Sequence, residues 1–539
     1  MNTAAEKSPT PFANTRSVSG GAVASVLIGL ILAALDQTVV VTALPSMIGQ
    51  LGRLDLATWV FSAYMIAELS TMLIAGKLAD RFGRKRLFLV GVAIFLIGSA
   101  LCGMASSMEA LIACRFLQGI GGGALTPTAF TLIFEMFPPQ RQHFLQGLLS
   151  GVFALAAMVG PLLGAFLTVH WGWHSVFFVN LPFGVVSMVV LSLTFHEVPW
   201  HLRVLPPGVE TPQHRHDLPF DIWGMVWLVG SVVSLLLCVE IAVSYGLAHL
   251  GATASGIVFV VCMAFFLRTE GRATDPLVDL GYFRDWSFSA AQVCNFLFGA
   301  VMMAPIVFVP LFVQGVQAAS PEVAGRLLAP MMISVAAGSA IGGRLVEKFS
   351  FRGNLLISCA FLLPSQIVLA MISPTSGTTA IQFALIAAGI GVGLSFPVLF
   401  LVTLQHTPLH ARASGNSLVM FFRTLGSGLG VALLGLAQIA HLRHHVAAGG
   451  DNIWRYLHDF HAVFQPELRA ALSAAALGDF TTALSASVGY VFLWSSGLSL
   501  LIVICTWAMG SKRLDPVRLG YVSPPIHAAA DSVELQSTH

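Results

Sequence analysis

Charged side chains are scarce in this sequence. Asp, Glu, Lys and Arg make up 10% of its 539 residues, whereas soluble domains average roughly 25%. The hydrophobic fraction is 56% and the mean hydropathy is +0.82, which excludes a soluble protein. Apolar runs of about 20 residues, long enough to cross a hydrocarbon core roughly 30 Å thick, recur along the chain. The sequence therefore predicts an all-α polytopic membrane protein.

Cysteine is also sparse, and none of the seven cysteines lies in a predicted loop. Because all of them fall within or at the edge of apolar runs, we expect no disulfide and no cysteine metal site. The first 20 residues lack the charged start, short apolar run and cleavage site of a secretory signal. We therefore expect the first span to be retained.

Motifs of catalytic proteins are missing as well. The chain has no P-loop, no His-Glu metal motif and no nucleophile elbow, so an enzyme is the least favoured class and ATP is excluded as the energy source. The net charge of +2 provides no basic surface suited to nucleic acid. We expect no cofactor, no bound metal and no nucleic-acid partner.

The apolar windows predict fourteen transmembrane helices, which places both chain ends on one side of the membrane. The predicted spans lie near residues 22–43, 57–78, 87–105, 109–136, 145–169, 174–195, 222–243, 254–269, 287–313, 323–344, 354–373, 378–404, 414–440 and 487–510.

The distribution of Lys and Arg predicts the orientation, because these residues favour cytoplasmic loops. With both ends inside, the cytoplasmic segments hold 20 of the 27 Lys and Arg residues. We therefore predict a multi-pass protein of the cytoplasmic (inner) membrane. Its cytoplasmic parts are the tails 1–21 and 511–539, the loop 196–221 and the linker 270–286, and its long outer loop is 441–486.

One motif occurs twice. GKLADRFGRK at 76–85 follows the second span, and its pattern recurs 267 residues later in GRLVEKFSFR at 343–352, where Ser350 replaces a glycine. Two glycine pairs in spans 5 and 13 recur at an offset of 268. The alternative is that short basic loops after any inward span look alike.

These matches predict two six-helix halves, at 22–195 and 287–510, with two inserted central helices at 222–269. Many secondary transporters build a midplane site from such repeats and open it to either side by rocking.

Five motifs occur in order along the chain. They are LDQTVVVTALP (35–45), GKLADRFGRK (76–85), RFLQGIGGGALTP (115–127), GPLLG (160–164) and WGWHSVFFVNLPFG (171–184). Together they resemble the major facilitator superfamily, and within it the fourteen-helix drug:proton antiporters. The resemblance covers roughly residues 22–510 and departs from the family at Val41, where an Asn is usual. It implies a major facilitator fold.

The resemblance also implies a gate after span 2. Gly76 lets two helices approach closely, and Gly83 permits a tight turn. Asp80, Arg81 and Arg84 are implied to make contacts at the inner face that form in one transport state and break in the other.

Span 5 carries Gly151, Gly160, Pro161 and Gly164. A proline inside a helix frees a backbone carbonyl and bends the helix. The resemblance associates such a Gly-Pro helix with exchange rather than symport, and a plain packing role is the alternative.

Four ionisable residues lie far from either surface, where a charge costs about 2.5 to 3.5 kcal/mol on insertion scales. They are Asp36, Glu68, Arg115 and Arg423. We predict that Asp36, Arg115 and Glu68 serve proton coupling. A static ion pair is the alternative for Asp36 and Arg115, and attraction of cationic substrate groups is the alternative for Glu68. The acidic residues at span ends, Glu135 and Glu240, are assigned to interfacial exposure.

Polar and aromatic residues within spans are candidates for the substrate cavity. They are Tyr64, Gln292, Asn295, Phe296, Gln382 and Arg423. His441, His444 and His445 begin the predicted outer loop, where a solvated face is favoured over a metal site. The stretch Ile453–Phe480 is predicted to lie along the membrane surface or to contact a periplasmic partner.

The sequence thus predicts a proton-coupled antiporter that exports small amphipathic compounds, cationic or neutral, by alternating access through the lipid bilayer. The sequence does not decide whether a periplasmic adaptor and an outer-membrane channel are partners. One alternative is a dedicated exporter of a fatty acid, lysolipid or siderophore, in which Arg115 and Arg423 bind the anion. A non-transporting membrane sensor is the other.

Overall fold

The computed structural model describes residues 20–53, 56, 59–137, 142–195, 221–246, 248–319, 321–408, 411–448, 474–510 and 512–513. This part of the chain contains fifteen α-helices and no strand. The helices are α1 (Gly20–Leu51), α2 (Trp59–Phe82), α3 (Arg84–Gly103), α4 (Met108–Met136), α5 (Gln142–Trp171), α6 (Ser175–Phe178), α7 (Asn180–Thr194), α8 (Ile222–Tyr245), α9 (Leu250–Glu270), α10 (Trp286–Gly315), α11 (Pro321–Lys348), α12 (Phe351–Ala370), α13 (Thr378–His406), α14 (Arg412–Ala448) and α15 (Ala474–Ala508).

Twelve helical segments in the described residues are long and apolar enough to cross a membrane, with α6 and α7 counted as one segment. Two further helices, α4 and α5, are 29 and 30 residues long. A membrane favours helices because each satisfies its own backbone hydrogen bonds. The chain is therefore an all-α multi-pass membrane protein, and the count of fourteen spans stays a prediction.

The helices extend into the predicted outer loop 441–486. Helix α14 continues to Ala448, and α15 begins at Ala474 rather than at 487. The predicted bounds of this loop were wrong because the alanine-rich stretch 474–486 is a strong helix former although it is less apolar than the span it extends.

The three histidines predicted to begin that loop, His441, His444 and His445, lie in α14 instead. The ring of His441 stacks on Tyr490 of α15, with 4.2 Å between the centroids. Most of the predicted surface stretch Ile453–Phe480 falls outside the described residues, as does the loop at 196–220.

The same packing partners recur in the two halves. Helix α4 packs between α2 and α3, and α13 packs in the same way between α11 and α12. Helix α1 packs against α5 and α7, as α10 does against α14 and α15. The halves meet where α2 packs against α14 and α5 against α11, which are equivalent pairs under this repeat.

The glycines of α4 are required by these crossings. A Cβ on Gly119 would lie 2.4 Å from the carbonyl oxygen of Tyr64, and one on Gly121 would lie 2.3 Å from the backbone N of Phe95. Because backbone atoms cannot move aside, only glycine allows α2 and α3 to approach α4 this closely.

The inserted helices α8 and α9 pack against each other, and α8 also packs against α2 and α14. The Ser62 hydroxyl of α2 donates to Glu240 of α8 at 2.9 Å. At the other end of α2, Lys77 forms an ion pair with Asp275 after α9. Interfacial exposure was therefore an incomplete explanation of Glu240, since its carboxylate joins the inserted pair to the N-terminal half.

The predicted topology can be tested by cysteine labelling. In a variant without the native cysteines, Glu210→Cys is expected to resist an impermeant maleimide in intact cells, while Asp459→Cys is expected to react, because the Lys and Arg distribution places the two segments on opposite sides. Permeabilised cells provide the control, in which both sites must react. Labelling of Glu210→Cys in intact cells would contradict the fourteen-span topology.

Candidate transport site

Asp36 lies near the middle of α1 and is 2% exposed. Its carboxylate accepts hydrogen bonds from Arg115 Nη1 at 2.5 Å and from Gln118 Nε2 at 2.7 Å, both on α4. Asn180 Nδ2 of α7 approaches the same carboxylate at 3.3 Å. We call these four residues the Asp36 cluster. Charge-assisted bonds of this kind are among the strongest that side chains make.

Arg115 is itself held by several groups. It is 1% exposed, its Nε donates to the carbonyl of Val60 at 3.2 Å, and its Nη1 also donates to Gln118 Oε1 at 2.7 Å. The guanidinium lies over the ring of Tyr64, 4.2 Å from the centroid. A buried charge needs such compensation, so loss of the Asp36 carboxylate would remove the charged partner of Arg115.

Two members of the Asp36 cluster, Gln118 and Asn180, were missed as site residues in the sequence. Both stand inside the quoted motifs, Gln118 three residues after Arg115 and Asn180 before Leu181 and Pro182. The signal available was a polar residue in a motif at membrane depth.

Glu68 of α2 lies close to the Asp36 cluster without an ion pair in the described structure. The side chain is 4% exposed, and Gln37 Nε2 donates to its two oxygens at 3.3 and 3.4 Å. Gln37 is exposed although it lies in the middle of α1. A polar side chain exposed at this depth is typical of a water-filled cavity.

Asp80 joins the two halves at the end of α2. Its carboxylate accepts hydrogen bonds from the backbone N–H of Ala413 at 3.1 Å and from that of Ser414 at 2.8 Å. The Ser414 hydroxyl donates to it as well, at 2.8 Å. These groups begin α14, so the carboxylate faces the positive end of a helix of the other half.

Arg84, four residues after Asp80, donates to that carboxylate at 3.3 Å and forms an ion pair with Glu135 at the end of α4. Interfacial exposure was therefore an incomplete explanation of Glu135, since its carboxylate also pairs with the buried Arg84. Arg81 lies over the ring of the adjacent Phe82, 5.9 Å from its centroid.

Two glycines shape this contact between the halves. A Cβ on Gly76 would lie 3.0 Å from the carbonyl oxygen of Ala413, so glycine allows α2 to approach α14. Gly83 adopts φ 97°, which L side chains rarely adopt. In the second copy of the motif, Ser350 instead accepts a hydrogen bond from the N–H of Gly353 and caps α12.

Further contacts between the halves lie at the same end of the bundle. Phe134 of α4 stacks on Phe400 of α13 with 4.5 Å between the ring centroids. Asn416 Nδ2 of α14 donates to the carbonyl of Pro127 at 2.9 Å and to the Thr131 hydroxyl at 3.2 Å. The halves are thus closed against each other at the end predicted to face the cytoplasm.

The glycines of α5 lie against α1. A Cβ on Gly160 would lie 1.9 Å from Thr38 Oγ1, and one on Gly164 would lie 2.7 Å from the carbonyl oxygen of Val39. Pro161 lies between them and is exposed. Gly151 has nothing within 4 Å of its Cβ position in the described structure, so no close approach requires glycine there.

The C-terminal half holds a second group of polar residues, around Arg423. Arg423 Nη2 of α14 donates to Asn295 Oδ1 of α10 at 3.1 Å, and its guanidinium lies 3.9 Å from the ring centroid of Phe396 of α13. Asn295 Nδ2 donates to Gln292, whose Nε2 donates to the Thr403 hydroxyl at 2.9 Å.

Two cavity candidates differ from this group. Gln382 stands 21 residues before Thr403 on α13, a rise of about 31 Å at 1.5 Å per residue, so it lies at the opposite end of the bundle. Phe296 contributes its backbone to a close crossing, because a Cβ on Gly426 would lie 1.9 Å from its carbonyl oxygen.

Comparison with known proteins identifies the family. A family model of the Major Facilitator Superfamily matches residues 26–431. Multidrug resistance protein 3 of Bacillus subtilis is 34% identical over 91% of this chain and 95% of its own. The multidrug transporter protein MdtP of the same organism is 33% identical over 78% of this chain and 75% of its own.

The fold agrees with that of solved transporters. The human organic anion transporter MFSD10 superposes with a TM-score of 0.61 at 14% identity, over 90% of this chain and 99% of its own. The family model match and the two bacterial relatives together show that the chain belongs to the Major Facilitator Superfamily of membrane transporters.

Proposed function

We propose that the protein is a proton-coupled antiporter that exports small amphipathic compounds, drugs among them, from the cytoplasm. It works in the cytoplasmic membrane with both chain ends inside and with two six-helix halves flanking the inserted pair. The names of the bacterial relatives, a multidrug resistance protein and a multidrug transporter, support this class of substrate.

The observation that carries the proposal is the buried contact between Asp36 and Arg115 in the N-terminal half. A carboxylate beside a guanidinium stays ionised, and it becomes protonated when the guanidinium moves away or finds another partner. An intramembrane ionisable pair of this kind is typical of proton pathways. The rocking of two halves would expose the pair to each side of the membrane in turn.

Proton entry supplies enough energy for this exchange. One proton moving inward down 100 mV releases about 2.3 kcal/mol, which corresponds to roughly a 50-fold gradient of a neutral substrate. A pH gradient adds to this value. One-for-one exchange with a monovalent cation moves no net charge, so the pH gradient drives it.

The proposal is tested by dye transport in energised inverted vesicles. Ethidium uptake is expected in vesicles that contain the protein, and an uncoupler is expected to abolish it. Vesicles from cells without the protein provide the background. Uptake that persists at full rate with the uncoupler would refute proton coupling.

Glu68→Gln is expected to weaken export of cations by about tenfold and to leave neutral compounds within about twofold of the unchanged protein, because Coulomb attraction is strong at low effective dielectric. Efflux of ethidium and of a neutral dye measures both. Glu109→Gln is the matched control, since the Glu109 carboxylate is exposed at the start of α4, where it pairs with Arg53. Equal loss for both dyes would instead place Glu68 in the proton path.

A further inference from the structure

The guanidinium of Arg423 lacks a carboxylate partner in the described part of the chain. Its Nε has no hydrogen-bond partner there, and its Nη2 bonds to the neutral side chain of Asn295. The residue is partly exposed. Arginine remains charged in proteins, and a central charge in a membrane protein is costly unless it is compensated. The side chain therefore has capacity for an anion.

Glu68 is the acidic counterpart in the other half. It too forms no ion pair with a described residue, and its hydrogen bonds come from the neutral amide of Gln37. The structure thus holds a carboxylate near the middle of α2 and a guanidinium in the first third of α14, and the hydrogen bonds described for both are to neutral groups.

The register of α2 and α14 places Glu68 and Arg423 at nearly the same depth. The two helices are antiparallel neighbours, since a Cβ on Gly76 would contact Ser417, and one on Gly428 would contact Met65. Glu68 follows Met65 by three residues, which places it about 4.5 Å closer to the Asp80 end of the bundle. Arg423 precedes Gly428 by five residues on the antiparallel helix, which places it about 7.5 Å closer to the same end. Their depths differ by about 3 Å.

Both side chains lie beside the contact between α2 and α14, where the two halves meet. Each is one position from the face along which α2 and α14 touch, and on antiparallel helices these offsets turn to the same side. Glu68 extends toward Gln37 of α1 and Arg423 toward Asn295 of α10. Helices α1 and α10 are equivalent under the repeat, so each charged side chain bonds to the first helix of its own half, Glu68 from α2 and Arg423 from α14.

We propose that the protein recognises substrates that carry both a cation and a carboxylate, with the carboxylate bound by Arg423 and the cation by Glu68. This inference rests on the proposed export of amphipathic compounds and narrows its substrate class to include zwitterions. A guanidinium matches a carboxylate with two parallel hydrogen bonds. The ring of Phe396 under the guanidinium keeps the fork in place and offers an apolar wall.

A matched pair of dyes tests the proposal on the purified full chain in detergent. Rhodamine B carries a delocalised xanthylium cation and a carboxylate, and its methyl ester keeps only the cation. By fluorescence anisotropy, rhodamine B is expected to bind about tenfold more tightly than the ester, because only the ionised acid can form a charge-assisted, two-oxygen pair with the guanidinium. Equal affinity for the two dyes would overturn the proposal.

Variants distinguish the contribution of Arg423 to dye binding from that of Glu68. Arg423→Gln, which keeps a donor for Asn295, is expected to remove the preference for rhodamine B and leave binding of the ester unchanged, while Arg423→Lys keeps part of the preference. Glu68→Gln is expected to weaken the binding of both dyes, because both carry the cation. Arg326→Gln is the matched control, because Arg326 is exposed at the start of α11.

An equal loss for both dyes in Arg423→Gln would refute the anion site. These measurements use no proton gradient, so failure of proton-driven export in vesicles leaves their result valid. Conversely, a missing dye preference refutes the zwitterion site and leaves proton coupling intact.

Discussion

Asp36→Asn is expected to abolish uphill export of every substrate, charged or neutral, while passive exchange survives. The structure provides the reason, because the Asp36 carboxylate is the anion that faces the buried Arg115 guanidinium. An amide cannot take up and release a proton in this range of pH, so the coupling step itself is lost. Energised vesicles measure uphill export, and counterflow of labelled substrate measures passive exchange.

Folding must be separated from coupling in this variant. Removing one partner of a buried ion pair typically costs about 3 to 5 kcal/mol, because the other charge stays buried. The Asn oxygen can still accept from Arg115, which lowers this cost. Asp479→Asn is the matched control, since Asp479 is exposed on α15. Retained counterflow shows that the variant is folded, and undiminished uphill transport in it would refute the coupling role of Asp36.

Asp80→Asn is expected to slow transport by about tenfold with little change in substrate affinity. The carboxylate accepts hydrogen bonds from Ala413 and Ser414 at the start of α14. Hydrogen bonds to a charged group contribute about 1.5 to 3 kcal/mol, so the loss of charge weakens closure of this end of the bundle. Turnover in vesicles and dye affinity in detergent measure the two quantities.

Asp285→Asn is the control for this contact, because the described partners of the Asp285 carboxylate are Ser287, His406 and Lys512, none of which belongs to the N-terminal half. Burial would raise the pKa of this carboxyl, but hydrogen bonds from Lys512 and from the Ser287 N–H hold it below the ordinary value. Asp285→Asn is expected to leave turnover unchanged. A large loss of affinity with normal turnover in Asp80→Asn would move Asp80 from the gate to the binding site.

Much of the site could be predicted because its residues stand in motifs or carry charges where charge is costly. Asp36 and Arg115 were selected on both grounds, and the structure brings them into contact. Gln118 and Asn180 were missed because a neutral amide in a span has no comparable cost. Gln382 was grouped with Gln292 by residue type alone, and the structure separates them.

The helix ends show a similar limit. Hydropathy finds the part of a helix that meets lipid, so it placed the start of the last helix at 487, whereas alanine-rich sequence extends that helix back to Ala474.

The sequence by itself determined that this chain is a bundle of membrane helices, since apolar runs of this length must satisfy their backbone groups within helices. Its repeated motif also indicated two equivalent halves. Only the tertiary structure decided which polar groups meet across helices, such as Arg84 with Glu135 and Asp80 with the start of α14. It also set Glu68 and Arg423 at one depth. The physical reason is that such contacts depend on the rotation and offset of neighbouring helices, which close packing sets and hydropathy does not record.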